Sequence, residues 1–197
     1  MLTLPSGDFG GFIFDCDGTL ADSMPLYHRA WRAALSAGGA TFDFSWELFT
    51  SRAGMSTLLT VNGLNHQFGT ALDAASVEQR QHAEYLALIE GVKPILPVVA
   101  LARAHLGKLP MSVASGGTRP LVERTLDLIG VRQLFSHVLV ASDVARGKPE
   151  PDLFLLAAER MGVPPERCLV FEDGEPGIVA AGRAGMHVVR VELGSRS

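Results

Sequence analysis

A short apolar run near the N-terminus, Phe12-Ile13-Phe14, is followed at once by Asp15-Cys16-Asp17-Gly18-Thr19-Leu20-Ala21-Asp22-Ser23. Aromatic and β-branched residues in such a run read as a buried strand. That strand hands two carboxylates, one residue apart, to the turn that ends it. Buried carboxylates are costly unless something pairs with them. In open α/β sheets the carboxyl ends of the strands are where ligands bind. The stretch therefore predicts a divalent cation together with a phosphate group, and an aspartate that attacks phosphorus.

The rest of the chain supplies the sheet that such a strand needs. Apolar runs at Met111–Ala114, His137–Ala141, Cys168–Phe171 and His187–Val191 alternate with helical patterns at Pro97–Leu106, Arg119–Ile129, Asp152–Met161 and Pro176–Ala184. Five strands alternating with helices predict an α/β fold with a parallel sheet and right-handed crossovers. Between the first two strands the pattern is helical throughout: Pro25–Gly38, then Trp46–Arg52, Ser56–Phe68 and Ser76–Ile89, with breaks at Gly54, Gly63 and Gly69. Residues 21–91 thus read as an all-helical block inserted after the first strand, and residues 1–20 with 92–197 as the α/β domain.

Composition narrows the function classes. The chain has 197 residues, 47% hydrophobic and 19% charged, with a formal net charge of −4, which fits an ordinary globular protein. A net negative chain with pI about 5.8 argues against a nucleic-acid partner. No apolar stretch reaches membrane-spanning length, and Met1 to Asp8 lacks the basic segment and apolar core of a signal peptide. Cys16 and Cys168 each border an apolar run and read as small hydrophobes, so a reducing cytoplasm and a monomer are the expectations.

Polar groups recur at the strand ends. Asp15 and Asp17, Ser115, and Glu172 with Asp173 each follow an apolar strand, and Lys148 lies in the loop after the third core strand. Taken singly, each has a plain structural reading: turn aspartates, a Ser-Gly-Gly helix entry, a solvated loop lysine, a helix-capping acid pair. Strand ends of one parallel sheet share an edge, however, so together they predict one crevice. Hydrolysis of a phosphate monoester needs a nucleophile, a proton donor for the leaving oxygen and cations to neutralise charge. Asp15 suits the nucleophile and Asp17 the general acid and then base. Mg²⁺ would be held by Asp15, the backbone carbonyl of Asp17 and Asp173. Lys148 would pair with phosphate and Asp15, while Ser115 with the N–H groups of Gly116 and Gly117 would bind phosphate oxygens.

These residues resemble the haloacid dehalogenase (HAD) superfamily of phosphotransferases across nearly the whole chain. Phe14-Asp15-Cys16-Asp17-Gly18-Thr19-Leu20-Ala21-Asp22-Ser23 looks like its first motif and Ser115 its second. Gly147-Lys148-Pro149-Glu150-Pro151-Asp152 looks like the third, and Phe171-Glu172-Asp173-Gly174-Glu175-Pro176-Gly177-Ile178 the fourth. The helical insert is similar to the cap of the β-phosphoglucomutase-like subfamily. Segments Leu155–Val163 and Cys168–Met186 look closest to bacterial fructose-1-phosphate phosphatase-like members. The resemblance implies a Rossmann-like HAD core with a helical cap, Mg²⁺ as cofactor with Glu172 outside the inner ligand set, and a small phosphorylated sugar as substrate. A sugar-phosphate mutase is the alternative enzyme, and a catalytically silent HAD-like binding protein the alternative class. Asp17 argues against the dehalogenases proper, and the lack of any lysine in Ala21–Val92 argues against the phosphonate-cleaving branch.

Three positions depart from the family pattern: Gly174 where a small hydroxyl residue is usual, Met24 where Glu is common, and Tyr27-His28 where relatives carry His at the place of Tyr27. Candidate substrate contacts in the cap are Arg52, just before Ala53-Gly54, together with Tyr27 and His28; His66 and Arg80 are weaker candidates. A solvated or packing role competes with each of them.

Overall fold

The computed structural model describes residues 4–52 and 55–192. Its chain divides into two compact units, one built from the segments up to Asp22 and from Lys93 onward, the other from Ser23–Val92. The first unit is an α/β layer structure. Strands β1 (Gly11–Phe14), β2 (Met111–Ser115), β3 (His137–Val140), β4 (Cys168–Glu172) and β5 (His187–Arg190) form one sheet in the order β3-β2-β1-β4-β5. Every neighbouring pair is parallel. Strands β1, β2 and β4 are buried along their whole length, which is why β1 and β4 read as continuous apolar runs rather than alternating ones, while β2 carries the buried Ser112 within it.

The β1 strand is central: the chain runs from it through β2 to β3 on one side, then crosses back from β3 to β4 on the other. That is the switch point at which parallel sheets open a crevice beyond the strand ends. The register aligns Phe14 with Val113 and with Phe171, so Asp15, Ser115 and Glu172 emerge at nearly the same level. The rings of Phe14 and Phe171 stack at 4.6 Å, and Asp15 N–H donates to the Phe171 carbonyl at 3.0 Å. On one sheet face Ile13, Ala114, Cys168 and Val170 pack with Leu153, Phe154 and Ala157 of α7 (Asp152–Met161) and with Ala180 and Ala181 of α8 (Glu175–Arg183).

The remaining helices fall in both units. In the second unit these are α1 (Met24–Ala37), α2 (Trp46–Thr50), α3 (Thr57–Phe68) and α4 (Ala74–Leu88). Ser45, Ser56 and Asp73 cap α2, α3 and α4 through their side chains, each a preferred N-cap residue. A core of Ala34, Leu35, Phe44, Phe49, Val61, Leu64, Leu72 and Val77 holds the unit together. In the first unit, α5 (Leu96–His105) precedes β2 and α6 (Arg119–Leu128) follows it.

The two linking segments pair with each other, which moves the division slightly from the one expected at residues 20/21 and 91/92. Asp22 N–H donates to the Lys93 carbonyl and Ile95 N–H to that of Leu20, both at 2.8 Å, and Ala21 bridges Pro94 in antiparallel fashion. These bonds keep Ala21 and Asp22 with the α/β unit. Among the described residues no helix is long and apolar enough to cross a membrane.

Candidate active site

The strand ends bring one ammonium group and three carboxylates together. Lys148 Nζ lies 2.7 Å from Asp15 Oδ1 and 2.6 Å from Glu172 Oε2. All three side chains are largely buried, with exposures of 11%, 8% and 5%. The ammonium also sits 5.0 Å from the centroid of the Phe154 ring, a favourable place for a cation over a π face. Burial works against the lysine's charge, but the Asp15 and Glu172 carboxylates outweigh it and hold Lys148 above its ordinary pKa. It is therefore a permanent cation at neutral pH.

Glu172 uses both of its oxygens. Oε2 accepts from Lys148, and Oε1 accepts from Gly174 N–H at 3.0 Å. Gly174 occupies the N-cap of α8 and has no side-chain cap, and its backbone donor goes to the Glu172 carboxylate. The Cβ of any larger residue at Gly177, one turn into α8, would collide with Oε2 and Cδ of Glu172. The glycine thus leaves the room in which Glu172 lies.

Asp173 is oriented from the other side. Thr19 Oγ1, fully buried, donates to Asp173 Oδ1 at 3.1 Å. Gly18 has φ of +91°, a region that favours glycine, and a Cβ there would run into the Asp173 carboxylate, with its Oδ1 2.7 Å away. The turn itself is drawn tight around the Cys16 carbonyl, which accepts from Leu20 N–H at 3.0 Å and Ala21 N–H at 2.9 Å.

Oxygens of Asp15, Glu172 and Asp173 lie within 4.8 Å of one another. Burial, and then the charge of Asp15, push Glu172 up to about 8 and Asp173 up to about 7, against the pull of Lys148 and, at Asp173, of the Thr19 hydroxyl. A hard divalent cation among these oxygens would relieve that repulsion, and an all-oxygen donor set suits Mg²⁺. The donors present fit the ion. The commitment of both Glu172 oxygens to Lys148 and Gly174 leaves Asp15 and Asp173 as the freer pair.

The remaining residues border the same strand ends. Ser115, 1% exposed, ends β2; its Oγ accepts from Gly117 N–H at 3.1 Å, which leaves the hydroxyl hydrogen for another acceptor. The Asp17 carboxylate reaches toward this loop: a Cβ at Gly117 would lie 3.7 Å from Asp17 Oδ2 and 3.3 Å from Ser115 Oγ. The structure thus gathers Asp15, Asp17, Ser115, Lys148, Glu172 and Asp173 around the ends of β1, β2 and β4. Gly116 lies in the same loop with open space beside it.

The candidates in the helical unit have partners within that unit. His28 Nε2 lies 2.7 Å from the Phe44 carbonyl oxygen, and its ring is 5.3 Å from both Trp46 and Phe49. Tyr27 stacks on Tyr85 at 3.8 Å. Arg52 Nη2 donates to Gln67 Oε1 at 2.6 Å, with the guanidinium lying over Gly63, whose added Cβ would be 2.6 Å from Nη1. The Ala53-Gly54 segment that follows lies outside the described residues. Two contributors went unread in the sequence. Thr19 reaches Asp173 across 154 residues of sequence, although its place in the Asp-x-Asp-Gly-Thr turn is a local signal; Gly177 meets Glu172 from the start of the helix that follows β4.

Comparisons with known proteins give the family. Residues 9–185 match the family described as haloacid dehalogenase-like hydrolase. The chain is 37% identical over 186 residues to the fructose-1-phosphate phosphatase YqaB of Escherichia coli, covering 94% of this chain and 97% of that protein. It is 32% identical to hexitol phosphatase A of the same organism, over 92% of this chain and 82% of the relative. A crystal structure of a haloacid dehalogenase-like protein of unknown function from Agrobacterium tumefaciens superposes with a TM-score of 0.81 at 30% identity, over 92% of this chain and 82% of that one. The chain belongs to the haloacid dehalogenase-like hydrolase family.

Proposed function

We propose that the protein is a Mg²⁺-dependent phosphatase that hydrolyses a small phosphorylated sugar or sugar alcohol through a phosphorylated Asp15. The observation that carries this reading is the placement of Asp15: a buried carboxylate at the central strand end, fixed through one oxygen by Lys148. Its other oxygen is left to approach phosphorus. In the first step an Asp15 oxygen forms a bond to phosphorus as the bond to the sugar oxygen breaks, and Asp17 gives its proton to that leaving oxygen. In the second step Asp17 takes a proton from water, the water oxygen bonds to phosphorus, and the Asp15–phosphorus bond breaks to release inorganic phosphate. Its place two residues beyond Asp15 and beside the Ser115 loop supports both duties.

Ser115, through its free hydroxyl hydrogen, the Gly116 N–H and the Lys148 ammonium are assigned to the phosphoryl oxygens. Mg²⁺ bound by Asp15, Asp173 and the Asp17 backbone carbonyl would neutralise charge between the anionic nucleophile and the anionic phosphoryl group. Glu172 keeps Lys148 aimed at Asp15, a role supported by its bonds to Lys148 and Gly174. Substrate selection is assigned to the helical unit. The named activities of the E. coli relatives, on fructose 1-phosphate in one case and hexitol phosphates in the other, favour small phosphorylated polyols as the class.

The test is inorganic phosphate release from a panel of hexose 1-phosphates, hexose 6-phosphates and hexitol phosphates, with and without Mg²⁺. Mg²⁺-dependent release from at least one polyol phosphate is expected. Isomerised hexose phosphate in place of inorganic phosphate would convert the assignment to a mutase. No turnover of any member would refute the substrate class.

A further inference from the structure

The β3 strand forms one edge of the sheet, with β2 as its sheet neighbour. Its sequence, His137-Val138-Leu139-Val140, is short and largely apolar, with Val138, Leu139 and Val140 buried, and a strand edge without a neighbouring strand is a ready template for pairing with another chain. In a parallel ladder the N–H and C=O of one residue face the same neighbour, and successive residues face opposite sides. The side chains that reach Val138 and Val140 show these two residues to be the outward-facing ones.

Both of their central polar groups are occupied, and by side chains. Arg119 Nη1 donates to the Val138 carbonyl at 3.1 Å. Val140 N–H donates to Asp143 Oδ2 at 2.9 Å. The two side chains are joined to each other, since Arg119 Nη2 lies 2.8 Å from Asp143 Oδ1 and 2.6 Å from Oδ2. An incoming parallel strand would set one residue here, donating its N–H to the Val138 carbonyl and accepting from Val140 N–H with its own C=O. The guanidinium and the carboxylate reproduce that donor and acceptor. Arg132 continues the rail by donating from Nη1 to the Phe135 carbonyl at 3.1 Å, and Glu123 lies between Arg119 and Arg132, pairing with each.

We infer that the Arg119–Asp143 pair closes the β3 edge against strand addition by a second copy of this chain. The pair comes from elements distant in sequence, the first residue of α6 and the turn after β3. It acts as a strand surrogate whose two charges satisfy each other. Charged residues at a strand edge are a recurrent defence against edge-to-edge association, and here they bond the edge itself rather than only repelling a partner.

The test is the double substitution Arg119→Ala/Asp143→Ala, checked for folding by circular dichroism. Light scattering after size exclusion is run across a concentration series, with amide hydrogen exchange followed at Val140. The expected result is a mass that rises with concentration beyond that of the wild type. Val140 exchange should be about tenfold faster than wild type in dilute solution, the loss of one net hydrogen bond, and should slow again as the protein associates. A folded double variant with the wild-type mass at every concentration would overturn the inference. So would association that leaves the Val140 amide unprotected, because the contact would then lie elsewhere. If the double variant does not fold, Asp143→Ala and Arg119→Ala singly are read by the same two measurements and the same criteria.

Discussion

Replacing Gly177 by alanine should destabilise the α/β unit, although the same change in an open helix position stabilises. In a helix interior Gly→Ala is worth about 0.5–1 kcal/mol in favour of the alanine. At Gly177 the new Cβ would occupy the space of Glu172 Oε2 and Cδ, with Cγ only 2.6 Å away. The Glu172 side chain must swing out, and with it go the bonds to Lys148 at 2.6 Å and to Gly174 N–H at 3.0 Å. Hydrogen bonds to charged groups contribute roughly 1.5–3 kcal/mol each. Set against the helix gain, the net loss is about 2–5 kcal/mol, or roughly 5–20 °C in the Tm of a domain of this size. Gly182 lies in the same helix with nothing within 4 Å of its added Cβ, so Gly182→Ala should raise Tm by roughly 2 °C. Differential scanning calorimetry of the pair reads both. Phosphate release from Gly177→Ala should fall by about 10²-fold, because a displacement near 1 Å at a catalytic group costs about that much. Equal Tm values for the two variants would show that Glu172 does not fill the space beside Gly177, and would remove its role as the holder of Lys148.

Further outcomes follow from the same cluster. The folded-state pKa values of Glu172 and Asp173 are raised to about 8 and about 7, so their contribution to stability is fully present below about pH 4 and is lost as pH rises through 7–8. Metal-free protein should lose stability across that window, and Asp173→Asn should flatten the slope. Mg²⁺ binds the deprotonated carboxylates, so the Tm increase it produces should grow from pH 6 to pH 8; a Tm increase independent of pH would contradict the carboxylate site. Lys148→Met leaves Asp15 and Glu172 facing each other without their shared cation, and should cut kcat by more than about 10²-fold, with little rescue by added amines if geometry matters as much as charge. His28→Phe keeps the ring among Phe44, Trp46 and Phe49 but strands the Phe44 carbonyl. It should cost about 1 kcal/mol of stability, seen as a lower urea midpoint.

Much of the sheet could be read directly because each buried strand is a largely apolar run that ends on a polar residue. Phe14 before Asp15, Ala114 before Ser115 and Phe171 before Glu172 mark both the strand and the polar end that borders the candidate site. Parallel topology then makes the level of those ends predictable. What stayed hidden depends on which side chains meet, which local pattern does not show. Nothing local in Arg119 or Asp143 signals that they meet at the β3 edge, 24 residues apart. Gly177 reads as a weak helix residue until Glu172 is seen beside it. In the helical unit, His28 and Tyr27 are adjacent on α1, yet one is held by the Phe44 carbonyl and the other stacks on Tyr85. Periodicity gives the helix but not which neighbour each ring will meet. The cap candidates carry no motif of their own, so residue spacing does not distinguish a substrate contact from a packing one.

The central claim is that phosphorus becomes bonded to Asp15. Its most direct measurement is acid quench of the enzyme during turnover of a phosphorus-labelled polyol phosphate, followed by mapping of the label to a peptide. Label on the peptide that carries Asp15, chased by unlabelled substrate and absent in Asp15→Asn along with phosphate release, is the predicted result. Label on another residue, or turnover that persists in Asp15→Asn, would contradict the account.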